Sequence, residues 1–244
     1  LHFRKYYKHT EQTEDKSVPN QGGEDMTFTI REPGSALTHM LAALLTMIGA
    51  TPLLIRAVMT GSAITFAAMV VFITSMLLLY TASTLYHSLN IGGKVLTYFR
   101  KIDHMMIFVL IAGSYTPVCL LVLEPVSGRL LLCAVWGLAL LGILIKAVWI
   151  TCPKWFSSII YISMGWTCLG VFGQLIHNLS SAQFGLLVAG GVFYTVGGVI
   201  YALKFPVFGG RFKYFGAHEL FHVFVMLGSA CHFIFMFLLQ PHNF

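Results

Sequence analysis

The amino-acid sequence predicts an all-α integral membrane protein, a seven-transmembrane helix bundle with its N-terminus cytoplasmic and its C-terminus extracytoplasmic. Three observations predict it. Apolar residues make up 57% of the 244 positions and charged residues only 10%, and mean hydropathy is +0.79, values far from those of soluble globular domains. Seven apolar runs approach or exceed the roughly 20 residues that carry a helix across a bilayer. Lysine and arginine are divided unequally between the two sides that these runs define.

The elements follow in order. Residues 1–30 are polar, carry Pro, Gly and Gln, and hold five of the nine acidic residues (Glu11, Glu14, Asp15, Glu24, Asp25). They are expected to form a disordered tail ahead of a membrane domain over 31–244. The first apolar run follows this charged stretch and lacks a small-residue cleavage pattern, so it does not read as a cleavable signal peptide. The runs fall at 36–57, 64–89, 105–123, 130–150, 159–176, 184–203 and 216–239. Pro52 in the first and Pro117 in the third are expected to kink their helices, which membrane helices tolerate. The second run ends in Ser83-Thr84-Leu85-Tyr86-His87 and the third opens beside Asp103. The fourth, fifth and sixth contain no acidic residue, and the seventh opens on His218-Glu219-Leu220-Phe221-His222. Short loops join the runs, which leaves little chain for a second domain.

Orientation rests on lysine and arginine alone. Arg4, Lys5, Lys8, Lys16 and Arg31 precede the first span. Lys94, Arg100 and Lys101 lie between the second and third, Lys146 and Lys154 flank the loop after the fourth, and Lys204, Arg211 and Lys213 lie between the sixth and seventh. The opposite side keeps Arg56 and Arg129. Cations concentrate on the cytoplasmic side of membrane proteins, so the N-terminus is assigned there. The net charge of +6 therefore belongs to membrane flanks. No basic patch interleaves with exposed aromatics, so a nucleic-acid partner is not expected.

This topology brings His87, Asp103, His218 and His222 to one layer near the cytoplasmic face, on three different spans. His218 and His222 are four apart and share a helical side. Ser83 stands one turn deeper than His87 on the same side. Each has an ordinary reading as well. An isolated histidine at a helix end is more often hydrogen-bonded than ligating, serine often packs between membrane helices, and Asp103 could cap the third helix or pair with Arg100 or Lys101. The joint pattern favours a metal centre. Three neutral imidazoles suit Zn²⁺ and leave a fourth position for water, which zinc brings to a pKa of about 7. Asp103 is then the candidate base and Ser83 a donor to an oxyanion. The substrate would be a lipid ester or amide arriving from the cytoplasm or the inner leaflet.

Other polar residues rank lower. His39, one turn into the first span, is a candidate supporting residue, with a polar contact between helices as the plainer reading. Glu219 is the other supporting candidate, and His218-Glu219-Leu220-Phe221-His222 also fits the H-E-x-x-H pattern of metalloproteases, in which Glu is the base. His104 points about 100° from Asp103 around a helix, so both should not face one site equally. His232 lies roughly 21 Å along the helix from His218, too far to join the same metal. His177 and His242 fall on the outer side. Cys119, Cys133, Cys152, Cys168 and Cys231 show no CxxC spacing, so neither a zinc knuckle nor a disulfide framework is expected.

Four stretches together resemble the haemolysin III family, the bacterial branch of the progestin and adipoQ receptor (adiponectin receptor-like) superfamily. They are Glu32-Pro33-Gly34-Ser35 through His39, Ser83 to His87, Asp103-His104 with Ile107-Phe108 and Ala112 to Pro117, and Gly216 to His222. The resemblance covers about residues 30–240. It implies a multi-pass protein of the bacterial plasma membrane, with zinc held by His87, His218 and His222 and with Asp103 and Ser83 beside the metal water. The related alkaline ceramidases share the pattern and cleave lipid amides, whereas the family name implies cytolysis and other relatives act as receptors or in membrane-lipid homeostasis. Two classes of function are therefore carried. One is a zinc-dependent lipid amide hydrolase. The other is a non-catalytic lytic or receptor-like protein in which zinc only pins helices. An intramembrane metalloprotease ranks third.

Overall fold

A computed structural model describes residues 29–203 and 214–239. Nearly all of the expected N-terminal tail, the cations Lys204, Arg211 and Lys213, and His242 lie outside the described residues.

Among the described residues the chain is all helical. The helices are α1 (Pro33–Met59), α2 (Ala63–Ser88), α3 (Gly93–Leu121), α4 (Pro125–Val148), α5 (Lys154–Gly165), α6 (Phe172–Asn178), α7 (Ser181–Leu203) and α8 (Ala217–Leu238), with a 3₁₀ segment at Thr167–Val171. Counting α5 to α6 as one crossing, seven segments are long and apolar enough to span a membrane. The all-helical class and the seven spans are as predicted. Local chemistry sets the helix starts. Pro33 and Pro125 occupy first-turn positions that need no N–H donor, and Ser62 caps α2 by accepting from the Thr65 N–H at 3.2 Å. Gly61 adopts φ +69° between α1 and α2, a conformation that glycine enters without a Cβ clash.

Two elements depart from the apolar-run boundaries. Helix α3 begins at Gly93, so Lys94, Arg100 and Lys101 ride on its first turns and Asp103 sits well inside it. Hydropathy locates the lipid-buried part of a helix, not the turns that continue beyond it. Asp103 is therefore not an N-cap, and Lys101 instead donates to the Ala147 carbonyl at 2.5 Å. The fifth span is broken after Gly165. The Tyr115 hydroxyl, from α3, donates to the Gly165 carbonyl at 2.5 Å and accepts from the Cys168 N–H at 3.0 Å. It thereby satisfies backbone groups that the interruption exposes, as irregular backbone inside a membrane protein requires. Pro52 and Pro117 lie inside continuous helices.

Helix α2 packs between α1 and α3, α4 covers α3, and α8 packs between α1 and α7, while α5 leans on α7 and touches α3 and α4 more lightly. Small residues allow the close approaches. Gly113 meets Ser75 and Gly142 lies against the Phe108 ring. Leu37, Leu41, Leu44, Leu45 and Ile48 of α1 and Leu130, Leu140 and Leu144 of α4 face outward, as expected where the surrounding solvent is hydrocarbon. Helices α1 and α8 run in the same direction. Gly34 lies by the Tyr214 carbonyl at one end, and the Arg56 guanidinium lies 5.3 Å from the Phe237 ring centre at the other. The starts of α1, α5 and α8 and the ends of α2, α4 and α7 consequently share one end of the bundle, where the candidate site lies.

Candidate metal centre

The end of α2 and the start of α8 bring His87, His218 and His222 together. One nitrogen from each lies within 4.8 Å of the other two. His87 and His222 are almost fully buried. Neighbours fix two of the rings. His87 Nδ1 donates to a Glu32 carboxylate oxygen, which turns Nε2 and its lone pair toward the cluster. The Thr38 hydroxyl donates to the Ser35 carbonyl at 2.9 Å, so it accepts from His222 Nδ1 at 3.1 Å, and His222 Nε2 is likewise the free acceptor. Carboxylate and hydroxyl partners on the far nitrogen are the usual device for orienting histidine ligands. The bond from His87 holds Glu32 below the usual carboxylate range, against the opposite effect of partial burial.

Three imidazole nitrogens within 4.8 Å of one another form a donor set able to hold a metal ion. His87 Nε2 and His218 Nε2 are 3.3 Å apart, and two nitrogens on a tetrahedral zinc with ordinary Zn–N bonds are separated by about 3.3 Å. Buried lone pairs converging at that spacing repel unless a proton or cation lies between them.

His39 packs behind this group. Its ring stacks on His222 with centroids 3.6 Å apart and an interplanar angle of 11°, and meets Tyr80 edge-on at 5.1 Å. It is buried, and among the described residues neither ring nitrogen has a hydrogen-bond partner. Glu219 is turned to other work. One carboxylate oxygen accepts from Ser35 Oγ at 2.5 Å and the other from the Gly216 N–H at 2.8 Å, capping α8 and tying it to α1. With both oxygens so used, Glu219 is not placed as the free base that the H-E-x-x-H pattern needs.

Asp103 and Ser83 border the same cavity as His39, His218 and His222. Asp103 is buried, and no lysine or arginine pairs with it among the described residues. Ser83 Oγ is buried without a hydrogen-bond partner among the described residues. His104 also lines this cavity. Its Nδ1 lies 3.4 Å from Asp103 Oδ2 and 2.9 Å from the Arg100 carbonyl. A wide cavity admits neighbours that a single point would not. The cavity, of about 160 Å³, continues between α3, α5, α7 and α8 past Val118, Phe172, Phe184 and Leu187 to His232. Since both His218 and His232 line it, it extends roughly 20 Å along α8. His232 itself contacts the Leu187 carbonyl at 3.3 Å, away from the cluster.

Sequence reading assigned no role to Glu32 or Thr38. Glu32 carried two signals, as one of four acidic residues beyond position 25 and as the first residue of a stretch that bears the family resemblance. Thr38 lies within that stretch and carried no other signal.

Seven membrane-spanning helices with a buried histidine cluster at one end define a class of multi-pass membrane protein. Comparison of the sequence narrows the class. Residues 28–233 match the family model described as haemolysin-III related. The chain is 36% identical over 206 residues to Hemolysin-3 of Bacillus cereus, covering 84% of this chain and 90% of that protein. It is 39% identical over 207 residues to the Hemolysin-3 homolog of Bacillus subtilis (strain 168), covering 84% and 93%. No solved structure matches it significantly. The chain belongs to the haemolysin III family.

Proposed function

We propose that this protein is a zinc-dependent hydrolase of lipid amides in the plasma membrane, with its site at the cytoplasmic end of the bundle. One observation carries the reading. Two of three convergent imidazoles, His218 and His222, line a cavity that also holds the Asp103 carboxylate and the Ser83 hydroxyl, which has no partner among the described residues, and the rest of that cavity is mostly apolar and long enough for an acyl chain. His87, His218 and His222 would hold the ion. When bound, zinc acts as a Lewis acid that acidifies water and polarises a carbonyl.

The chain's own residues account for the remaining work. The apolar walls seat the acyl chain and exclude water beyond the amide. Asp103 takes a proton from the attacking water and returns it to the leaving amine nitrogen. Ser83 Oγ–H donates to the carbonyl oxygen as it gains charge. His39 holds the His222 ring plane by stacking, and Glu32 and Thr38 hold the His87 and His222 tautomers.

The test is hydrolysis of lipid amides by purified protein, with and without zinc. Asp103→Asn should retain zinc and fold but lose roughly 10²-fold or more in activity, the scale of a lost general base. Glu219→Gln should lose much less activity. The opposite ranking would favour the protease-like reading. The name haemolysin, carried by the relatives, supports a second reading in which zinc only pins α2 to α8 of a lytic protein. In that case vesicle leakage survives Asp103→Asn, disappears in His87→Ala, and no amide or ester is turned over.

A further inference from the structure

A second buried cluster lies outside the cavity, where α4 ends and α5 begins. Lys146 is only 2% exposed. Its Nζ donates to Cys152 Sγ at 3.1 Å and to Ser157 Oγ at 2.6 Å, and those two atoms are 3.2 Å apart. The three side chains come from the last turn of α4, the linker at 149–153 and the first turn of α5, and all three are buried.

No carboxylate among the described residues reaches this lysine. Among the described residues Glu32 pairs with His87 and Arg31, Asp103 with His104, and Glu219 with Ser35, while Glu124 sits at the opposite end of α4. The Cys152 thiol and the Ser157 hydroxyl are, among the described residues, the side chains that touch Nζ, and of these the sulfur is the atom that a peroxide oxidises. None of the three residues lines the cavity, and all three are shielded, at 2%, 7% and 3% exposure for Lys146, Cys152 and Ser157. A reagent that reaches this pair must be small.

We propose that Cys152 and Lys146 form an oxidant-responsive pair, in which a hydroperoxide drives a covalent link between sulfur and nitrogen. In the first step Sγ attacks the peroxide. A sulfur–oxygen bond forms, the oxygen–oxygen bond breaks, one water (or alcohol) leaves, and Cys152 becomes a sulfenic acid. In the second step the Lys146 amine attacks that sulfur. A sulfur–nitrogen bond forms, the sulfur–oxygen bond breaks, and the hydroxyl departs with an amine proton as water. Sulfur is oxidised by two electrons, the peroxide is reduced, and the protein loses two hydrogens. Ser157 holds Nζ beside Sγ for the second step. Two equivalents of thiol reverse the link by reducing the sulfur.

The full-length protein, purified in detergent, is treated with hydrogen peroxide, digested, and mapped by tandem mass spectrometry. The expected product is a peptide containing residues 146–152, lighter by two hydrogens, with no fragmentation between those positions, and restored by dithiothreitol. In Lys146→Arg the link should be absent, and Cys152 should instead be trapped by dimedone as its sulfenic acid. The inference is overturned if wild-type Cys152 remains a free thiol at peroxide levels that oxidise Cys133, the exposed cysteine. It is equally overturned if dimedone traps wild-type Cys152 as fully as in Lys146→Arg. Should Lys146→Arg fail to fold, the wild-type peptide map decides alone: a linked peptide supports the pair, and a free or separately oxidised Cys152 refutes it.

Discussion

His87 and His222 each give one ring nitrogen to a neighbour and keep the other for the cluster. That division assigns distinct roles to Glu32, Thr38 and the histidines, and zinc binding should separate them. His87→Ala, His218→Ala and His222→Ala should each lose most of about one zinc per chain, measured by metal analysis of purified protein. His232→Ala should keep it, since its ring lies against Leu187. Glu32→Gln and Thr38→Val should hold zinc with affinity reduced about 10–100-fold, the usual effect of removing a partner behind a ligand, read by chelator competition. Full retention in all three alanine variants would refute the cluster as the binding site. The clustered histidines were visible in the sequence because i, i+4 spacing and matched depth are local and topological signals. Glu32 was not assigned, because its bond to His87 joins positions 55 apart, and nothing in a one-dimensional pattern pairs a helix-start carboxylate with the end of the next helix.

Helix α1 serves the site through its first turn, and Gly34 sets its distance from α8. A Cβ at Gly34 would run into the Tyr214 carbonyl and come within 3.0 Å of Glu219 Cγ. Ser35 and Thr38, which bond Glu219 and His222, follow within a turn. Gly34→Ala should therefore shift α1 and weaken both bonds, costing about 1–3 kcal/mol of stability as overpacking does. Zinc affinity should fall in parallel. Gly137→Ala, where a Cβ meets nothing within 4 Å, serves as the control and should change neither. Melting in detergent and zinc titration check this; an unchanged Gly34→Ala protein would show that the contact does not govern the site. The elements themselves were legible wherever hydropathy reports lipid burial. The start of α3 and the break in the fifth span were not. The first lies beyond the apolar stretch, and the second depends on the hydroxyl of Tyr115, which sits on α3, 50 residues from the Gly165 carbonyl it bonds.

At the scale of the whole molecule, helix directions and charge meet in one argument. Lys94, Arg100 and Lys101 near the start of α3, Lys146 at the end of α4 and Lys154 at the start of α5 lie toward the end of the bundle that holds His87 and His218, whereas Arg56 and Arg129 occupy the other. The positive-inside rule acts on such flanking cations, so it orients the site together with the chain. A reporter inserted in the linker at 89–92 should read as cytoplasmic and one fused after Phe244 as extracytoplasmic. The linker is the informative place, because an insertion at Lys94 to Arg100 would interrupt α3. The same orientation predicts that, in sealed right-side-out vesicles, a membrane-impermeant chelator added outside leaves bound zinc in place, and that it strips the metal from inverted vesicles. Cytoplasmic signal from the C-terminal fusion, with zinc stripped from the outside, would invert the molecule. The cavity would then open toward the outer leaflet, and a substrate arriving from the cytoplasm would be excluded even if the three histidines hold zinc as proposed.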